Sequence, residues 1–336
     1  MRVFLIDRVN HTRISNCHAV CYCRPSVGRS KIKSAPRSLR MLNLGKPFGS
    51  HIASAVFWLM GAFPLSAVQA AGKFCGRLMW LIPGSYKERA LKNIRLALPA
   101  SEAVASVKAS LIHVTTLFLE MPYWWSKKHV DQRIAEQIKP HDWTEIDRVL
   151  SWGQGVILIS PHVGSFELLG PVFSQRHPAT VLFRIPRIAW LRDWLLDLRN
   201  RGNLTLVPAD VKGVRALAKA LKRGEAVGIL PDQVPIDGEG VWAPFFGQPA
   251  YTTTLVQRLQ KLSGAPVVVL CAYRDAHATG FSLRHWVLDG EWPEDPVASA
   301  TRINQALEVA IRHAPDQYLW GYDRFRQPKV RRDKRV

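Results

Sequence analysis

The chain has 336 residues, with 46 lysines and arginines against 26 aspartates and glutamates, giving a formal net charge of +20 and a pI near 10.2. A hydrophobic content of 47% with only 21% charged residues excludes wholesale disorder, and a mean hydropathy of −0.05 excludes a polytopic membrane protein but not a single anchor. What remains is a globular, strongly basic protein whose surface seeks anions: nucleic acid, anionic lipid or a phosphorylated substrate.

Residues 1–40 carry nine cations (Arg2, Arg8, Arg13, Arg24, Arg29, Lys31, Lys33, Arg37, Arg40) and one acid, Asp7, so +8 of the +20 resides there and +12 in residues 41–336. Cys17, Cys21 and Cys23 lie in the same stretch, and their C-x3-C-x-C spacing matches no zinc or disulfide framework. Cys75 and Cys271 are far apart and read as isolated buried thiols. The stretch has neither helical nor strand periodicity and lacks the apolar run of a signal peptide. Its expected state is a disordered basic extension, or residues ahead of a start at Met41.

Between Lys46 and Lys73 lie 26 residues without a formal charge, among them Ile52, Val56, Phe57, Trp58, Leu59, Met60, Phe63, Leu65 and Val68. That length suits a membrane anchor, and a core hairpin is the alternative. Counted from Met41, Lys46 alone precedes the stretch, while Lys73, Arg77, Lys87, Arg89, Lys92 and Arg95 follow it. The positive-inside rule then expects the body of the protein on the cytoplasmic side. Residues 86–129 read as helices, with Ser101 and Glu102 after Pro99 as a start signal and Pro122, Tyr123, Trp124 and Trp125 closing the run.

From residue 151 the pattern becomes short apolar runs separated by helical stretches. Strands are expected at 155–160, 179–184, 204–208, 226–231, 266–273 and 281–288, with helices between them. The expectation is an α/β fold, a mixed sheet flanked by helices, behind an N-terminal membrane-associated helical region. The divisions expected are 1–40, an anchoring segment 41–85, a catalytic domain 86–328 and a basic tail 329–336.

The segment GVILISPHVGSFELLG, residues 155–170, carries the most chemistry. A buried strand ends at Ser160 and Pro161, His162 enters a glycine-containing turn, and Glu167 opens a helix. A strand-to-helix turn at the carboxyl edge of a sheet is a usual place for a site. Five residues apart across such a turn, a histidine and a carboxylate can meet, and a carboxylate on one ring nitrogen makes the other a better base. Ser165 is a poor nucleophile candidate, because V-G-S-F-E lacks the second glycine of a nucleophile elbow. No Walker loop, no G-x-G-x-x-G and no metal-ligand spacing stand out, so no cofactor is expected.

Five blocks in order extend this. His162 and Glu167 stand in a His-x4-Glu pattern; Leu182, Phe183 and Arg184 follow; then GILPDQVP at 228–235, APFFGQPAYTTT at 243–254 and QYLWGYDRFR at 317–326. From about Met41 to Arg326 the chain resembles the bacterial lipid A biosynthesis acyltransferases, lauroyl and myristoyl transferases of the lysophospholipid acyltransferase superfamily. Phe183 stands where that family usually has Tyr, Ile185 follows Arg184 where Pro is typical, and Gly-Tyr-Asp precedes Arg324 in place of a commoner Val-His-Arg.

The resemblance implies a glycerolipid acyltransferase-like fold and transfer of a fatty acyl chain from acyl carrier protein to a hydroxyl of a phosphorylated glucosamine lipid, at the cytoplasmic face of the inner membrane. His162 would be the general base, Glu167 its orienter, and no covalent intermediate would form. Turn amides at 163–165 are expected to receive the oxyanion. Arg184 is expected to contact phosphate, Asp232 and Gln233 to position substrate, and Phe246, within the turn at 245–247, to wall an acyl groove. Expected partners are the acyl carrier protein, the phosphorylated lipid and the membrane surface, and not nucleic acid, for which no recognition motif is present. Lysophospholipid or aminolipid acceptors would suit the same dyad, and the readings of another class are an inactive membrane scaffold or a basic nucleic-acid-binding protein.

Overall fold

The computed structural model describes residues 48–125, 130–184, 188–200, 202–275 and 280–330. The expectations for residues 1–40 and for the tail beyond residue 330 lie outside the described residues.

Helices come first: α1 (Phe48–Gly61), α2 (Leu65–Leu81), α3 (Ser85–Ala97), α4 (Ala100–Trp125), α5 (Val130–Gln137) and α6 (Thr144–Leu150). The uncharged stretch is not one straight helix. Pro64, pre-set for a helix start, precedes α2, and the segments on either side of the break, Ser54–Gly61 and Leu65–Leu81, differ in direction by 112°. Residues 103–125 of α4 also have the length and apolarity of a membrane span. One face of α2 is pressed onto α4. A Cβ on Gly72 or Gly76 would lie 2.5 Å from the Cα of Thr116 or Ile112, so only glycine lets the two backbones meet this closely. Thr115 Oγ donates across the contact to the Gly72 carbonyl at 2.9 Å. The outer face of the α1–α2 pair leaves Trp58, Leu59, Phe74, Leu78 and Leu81 exposed. Cys75 is exposed there too, against the expectation of a buried thiol, whereas Cys271 is buried. Trp124 and Trp125 are buried core residues.

The remaining elements alternate: β1 (Val156–Ile159), α7 (Leu169–Ser174), β2 (Ala179–Phe183), α8 (Ala189–Arg199), β3 (Leu204–Pro208), α9 (Val211–Lys222), β4 (Ala226–Ile229), a hairpin of β5 (Gly240–Phe245) and β6 (Gln248–Thr253), α10 (Leu255–Ser263), β7 (Val267–Arg274), β8 (Phe281–Val287) and α11 (Pro296–His313). All six expected strands share one sheet, ordered β3-β2-β4-β1-β7-β8. β1 to β4 and β7 run parallel, and β8 returns antiparallel along β7. The sheet is therefore mixed and the fold α/β. β1 and β7 are buried at every position, as strands covered on both faces must be.

Alternate residues of β1 feed two cores. Ile157 and Ile159 pack with Leu217, Leu259, Ile303 and Leu307 from α9, α10 and α11. Val156 and Leu158 pack on the other face with Trp124, Ile146, Leu168 and Phe173. The β5–β6 hairpin is the one strand pair not foreseen in the sequence, where the segment reads as a turn and a helix start. At the start of α10 the Thr253 hydroxyl accepts from the Leu255 amide at 3.2 Å, and Thr252 is buried.

A buried ion pair ties the helical region to the sheet. Arg274 at the end of β7 donates to both oxygens of Glu120 on α4, and Gln69 of α2 donates to the same carboxylate at 2.9 Å. Removing one partner of such a pair leaves an uncompensated charge in the interior. Glu120→Leu should lower unfolding free energy by about 3–5 kcal/mol in denaturant titration, and the Glu120→Leu/Arg274→Met double variant by much less.

Candidate active site

Strand register builds the site. Ile159 of β1 pairs with Ile229 of β4, and the Ser160 amide donates to the Ile229 carbonyl at 3.2 Å. Pro161 and Pro231 then lie two residues beyond the paired isoleucines, where a proline has no amide hydrogen with which to continue a ladder. His162 and Asp232 sit one residue further on, at equal distance from the paired isoleucines. Asp232 Oδ1 lies 2.7 Å from His162 Nδ1, and Oδ2 accepts from the His162 amide at 2.9 Å. One carboxylate thus fixes both the ring and the backbone that carries it. With the Nδ1 proton directed to Asp232, Nε2 keeps a lone pair for base chemistry. The Gln233 amide nitrogen stands 3.1 Å from that Nε2.

Burial by itself raises the Asp232 carboxyl pKa, but the His162 ring, its two hydrogen bonds and nearby Arg324 outweigh burial and hold it below the ordinary value of 3.8. Asp232 therefore stays ionised at neutral pH. The sign follows from linkage: the pair stabilises the fold above the unfolded carboxyl pKa, and the contribution is lost as pH falls through the lower folded value.

The turn after β1 is clamped by the end of the chain. Gly164 has φ +60°, and a Cβ there would meet the Ala272 carbonyl oxygen at 2.1 Å. The Gly164 amide donates to the Gln317 carbonyl at 3.0 Å, the Ser165 amide to the Ala272 carbonyl at 2.8 Å, and the Val163 amide to the Pro161 carbonyl at 2.7 Å. In return the Leu319 amide donates to the His162 carbonyl at 3.1 Å. The expected oxyanion donors at 163–165 are thus already engaged by carbonyls. Gln317 is itself fixed: its side-chain amide bonds both the backbone N–H and the C=O of Arg274, each at 2.9 Å.

The expected dyad partners His162 and Glu167 are not in hydrogen-bond contact in the structure. Glu167 pairs with Arg199 at 2.9 Å, and Asp232 takes the place beside His162. Glu167 lies in a short 3-10 turn, Phe166–Leu168, and meets α8 at Arg199, which is buried with its guanidinium 4.9 and 5.0 Å from the ring centres of Trp125 and Phe183. Phe166, not Glu167, lies on the imidazole, with ring centroids 4.7 Å apart. Arg184, at the end of β2, is exposed and forms no ion pair with a described residue. Phe246 is the residue expected to wall an acyl groove. It is buried in the core at φ +48°, packed on Phe245 and Trp320 and covered by Arg312.

Two tyrosines complete the cleft, which is lined by His162, Asp232, Gln233, Tyr318, Leu319 and Tyr322. Burial and the Asp232 charge push the Tyr318 hydroxyl well above its ordinary pKa, so it remains protonated. Tyr322 Oη accepts from the Val234 amide at 2.9 Å and lies 3.3 Å from Arg326, which leaves its own proton to donate. Tyr322 belongs to the Gly-Tyr-Asp departure from the family pattern, the one sequence signal that could have singled it out. Arg324 serves the scaffold: it donates to the Tyr251 carbonyl and to Thr252, joining the chain end to the β5–β6 hairpin.

A family model described as bacterial lipid A biosynthesis acyltransferase matches residues 36–327. The lipid A biosynthesis palmitoleoyltransferase of Escherichia coli K12 is 27% identical over 282 residues, 82% of this chain and 90% of that protein. The lauroyltransferase of the same organism is 27% identical over 281 residues, 81% and 89% of the respective chains. A lipid A biosynthesis acyltransferase of Haemophilus influenzae is 27% identical over 260 residues, 74% and 78%.

The two carboxylates should separate in mutant kinetics. Asp232→Asn frees the imidazole tautomer and should lower kcat for acyl transfer by about 10²–10⁴-fold. Glu167→Gln and Arg199→Gln should each cost activity through one shared contact, so the double variant should lose no more than the worse single variant. A double loss equal to the product of the two single losses would show that Glu167 and Arg199 act independently.

Proposed function

Because the chain belongs to the bacterial lipid A biosynthesis acyltransferase family, we propose that it moves a fatty acyl group from the thioester of acyl carrier protein to a hydroxyl of a phosphorylated glucosamine lipid. The observation that carries this reading is the His162 imidazole, held through Nδ1 by Asp232 with Nε2 turned to the Gln233 amide in the cleft.

The step follows from that geometry. The acceptor hydroxyl takes the place of the Gln233 amide at Nε2 and gives its proton to His162 as its oxygen attacks the thioester carbonyl. The tetrahedral intermediate collapses, the C–S bond breaks, and the imidazolium returns the proton to the departing thiolate. An ester and a free thiol result, with no acyl-enzyme. Since the turn amides are engaged, the oxyanion is assigned to donors across the cleft, foremost the Tyr322 hydroxyl. Arg184, exposed at the same sheet edge, is assigned to an acceptor phosphate, which a guanidinium can bind with two parallel hydrogen bonds.

The lipid side of the reaction is assigned to the α1–α2 surface. Exposed Trp58, Leu59, Phe74, Leu78 and Leu81 adjoin exposed Lys73 and Arg77, a combination suited to insertion among anionic headgroups. An apolar cavity of about 370 Å³ between α2 and α4, lined by Met79, Leu111, Val114, Phe118 and Leu119, has room for alkyl carbons. The cytoplasmic face of the inner membrane is the location consistent with the lysines and arginines that follow α1.

Mass spectrometry of products made from acyl carrier protein thioesters and a panel of phosphorylated glucosamine lipids, lysophospholipids and aminolipids tests the reading. Ester formation on the glucosamine lipid is expected, with loss in His162→Ala. Folded protein that acylates no glucosamine lipid would overturn it. Tyr322→Phe should lower kcat by about 10²–10³-fold with little change in either KM if its hydroxyl meets the oxyanion.

A further inference from the structure

The chain pairs its surface charges in many places: Arg176 with Asp147, Arg192 with Asp193, Arg223 with Glu225, Arg312 with Glu308. α9 is different. Lys212, Arg215, Lys219 and Lys222 recur at steps of three and four, so they form one row along a single helix face, and all four are exposed. α10, packed beside α9, adds exposed Arg258 and Lys261. Neither helix contains an aspartate or glutamate, and none of the six cations forms an ion pair with a described residue. Like charges at these spacings disfavour a helix, and Lys212 in the first turn opposes the helix dipole. The helix is held instead by its buried face, Leu217, Ala220 and Leu221, and by Asp210, whose side chain caps it through the Gly213 amide at 2.9 Å.

The row is also well placed. α9 follows β3, and β1 to β4 are parallel, so its first turn stands at the sheet edge that carries His162, Arg184 and Asp232. Gly213 brings that turn hard against the sheet, since a Cβ there would lie 1.7 Å from the Pro208 carbonyl oxygen. From Lys212 to Lys222 the row covers about 15 Å, three turns of a partner helix. A bilayer contact would need apolar residues among the charges. Here only Val211 and Leu262, at the outer ends of the two helices, are large, apolar and exposed, whereas α1 and α2 carry an apolar surface of their own.

We propose that the cationic row of α9, extended by Arg258 and Lys261 of α10, is the docking surface for the acidic acyl carrier protein, guiding its thioester arm over the sheet edge to His162. This rests on the carrier being the donor, as read above. Charge complementarity of this kind acts mainly on association and its salt dependence.

The test uses the full-length chain, a folded Lys219→Glu/Lys222→Glu variant and the fourfold Lys212→Glu/Arg215→Glu/Lys219→Glu/Lys222→Glu variant. Transfer is measured from acyl carrier protein and from the corresponding acyl-pantetheine, which has the thioester without the protein. The expected result is a rise in carrier KM of about tenfold or more, with salt weakening the wild type more than the variants and transfer from acyl-pantetheine unchanged. Carrier KM unchanged in the double variant, with the wild type using the carrier, would overturn the docking surface and leave the donor reading intact. A wild type that uses acyl-pantetheine but not the carrier would overturn both. Loss of sedimentation with phosphatidylglycerol vesicles, carrier KM being unchanged, would make the row a lipid contact and also overturn the proposal.

Discussion

The site depends on backbone pairing between the turn that follows β1 and the segment 317–319. Gly164 donates to Gln317 and Leu319 donates to His162, while Gln317 grips the main chain of Arg274 from the other side. His162 is therefore held by three parts of the chain: the end of a central strand, the end of β7 and the segment 317–319 far along the sequence. Such a turn gains precision and loses free amides. That exchange leaves the amides of Val163, Gly164 and Ser165 bonded to carbonyls rather than free for a ligand.

A second pattern is the division of labour between two carboxylates. Asp232, fully buried, carries one proton-directing contact to a ring nitrogen and one to a backbone amide. Glu167 holds a guanidinium that also contacts the rings of Trp125 and Phe183. A guanidinium buried against two aromatic rings needs a carboxylate partner to offset its desolvation, and that contact links α8 to the turn carrying His162. Orientation of the His162 ring and cohesion of the surrounding wall are served by different acids.

Much of this was legible in the chain. Runs such as VILI and VVVLCAY lack polar interruption because both faces of their strands are covered, so all six strands of the main sheet could be read from apolar content. The turn bearing His162 was visible because a glycine and a proline bracket the histidine. The partner of His162 was not. Asp232 is 70 residues away, and its approach depends on β4 inserting between β1 and β2, a matter of strand order that local pattern does not contain. His162 and Glu167, close in sequence, suggested a contact that a 3-10 turn redirects. The β5–β6 hairpin was hidden by proline and glycine at strand positions, and the contacts of Arg324 by the distance to Tyr251 and Thr252, which lie 73 and 72 residues back. Arg199 offered no signal at all, being one of two arginines in a helix that carries as many aspartates.

The Glu120–Arg274 pair and the glycine seam between α2 and α4 have a mechanical consequence. α2 cannot separate from α4 without opening a backbone-to-backbone contact, and α4 cannot pivot on β7 without exposing an ion pair. The outward aromatic and aliphatic side chains of α2 are thus fixed in heading relative to the imidazole. Once that surface comes to rest against a boundary, the direction from which a reactant must enter the cleft is set by the fold, without a moving hinge.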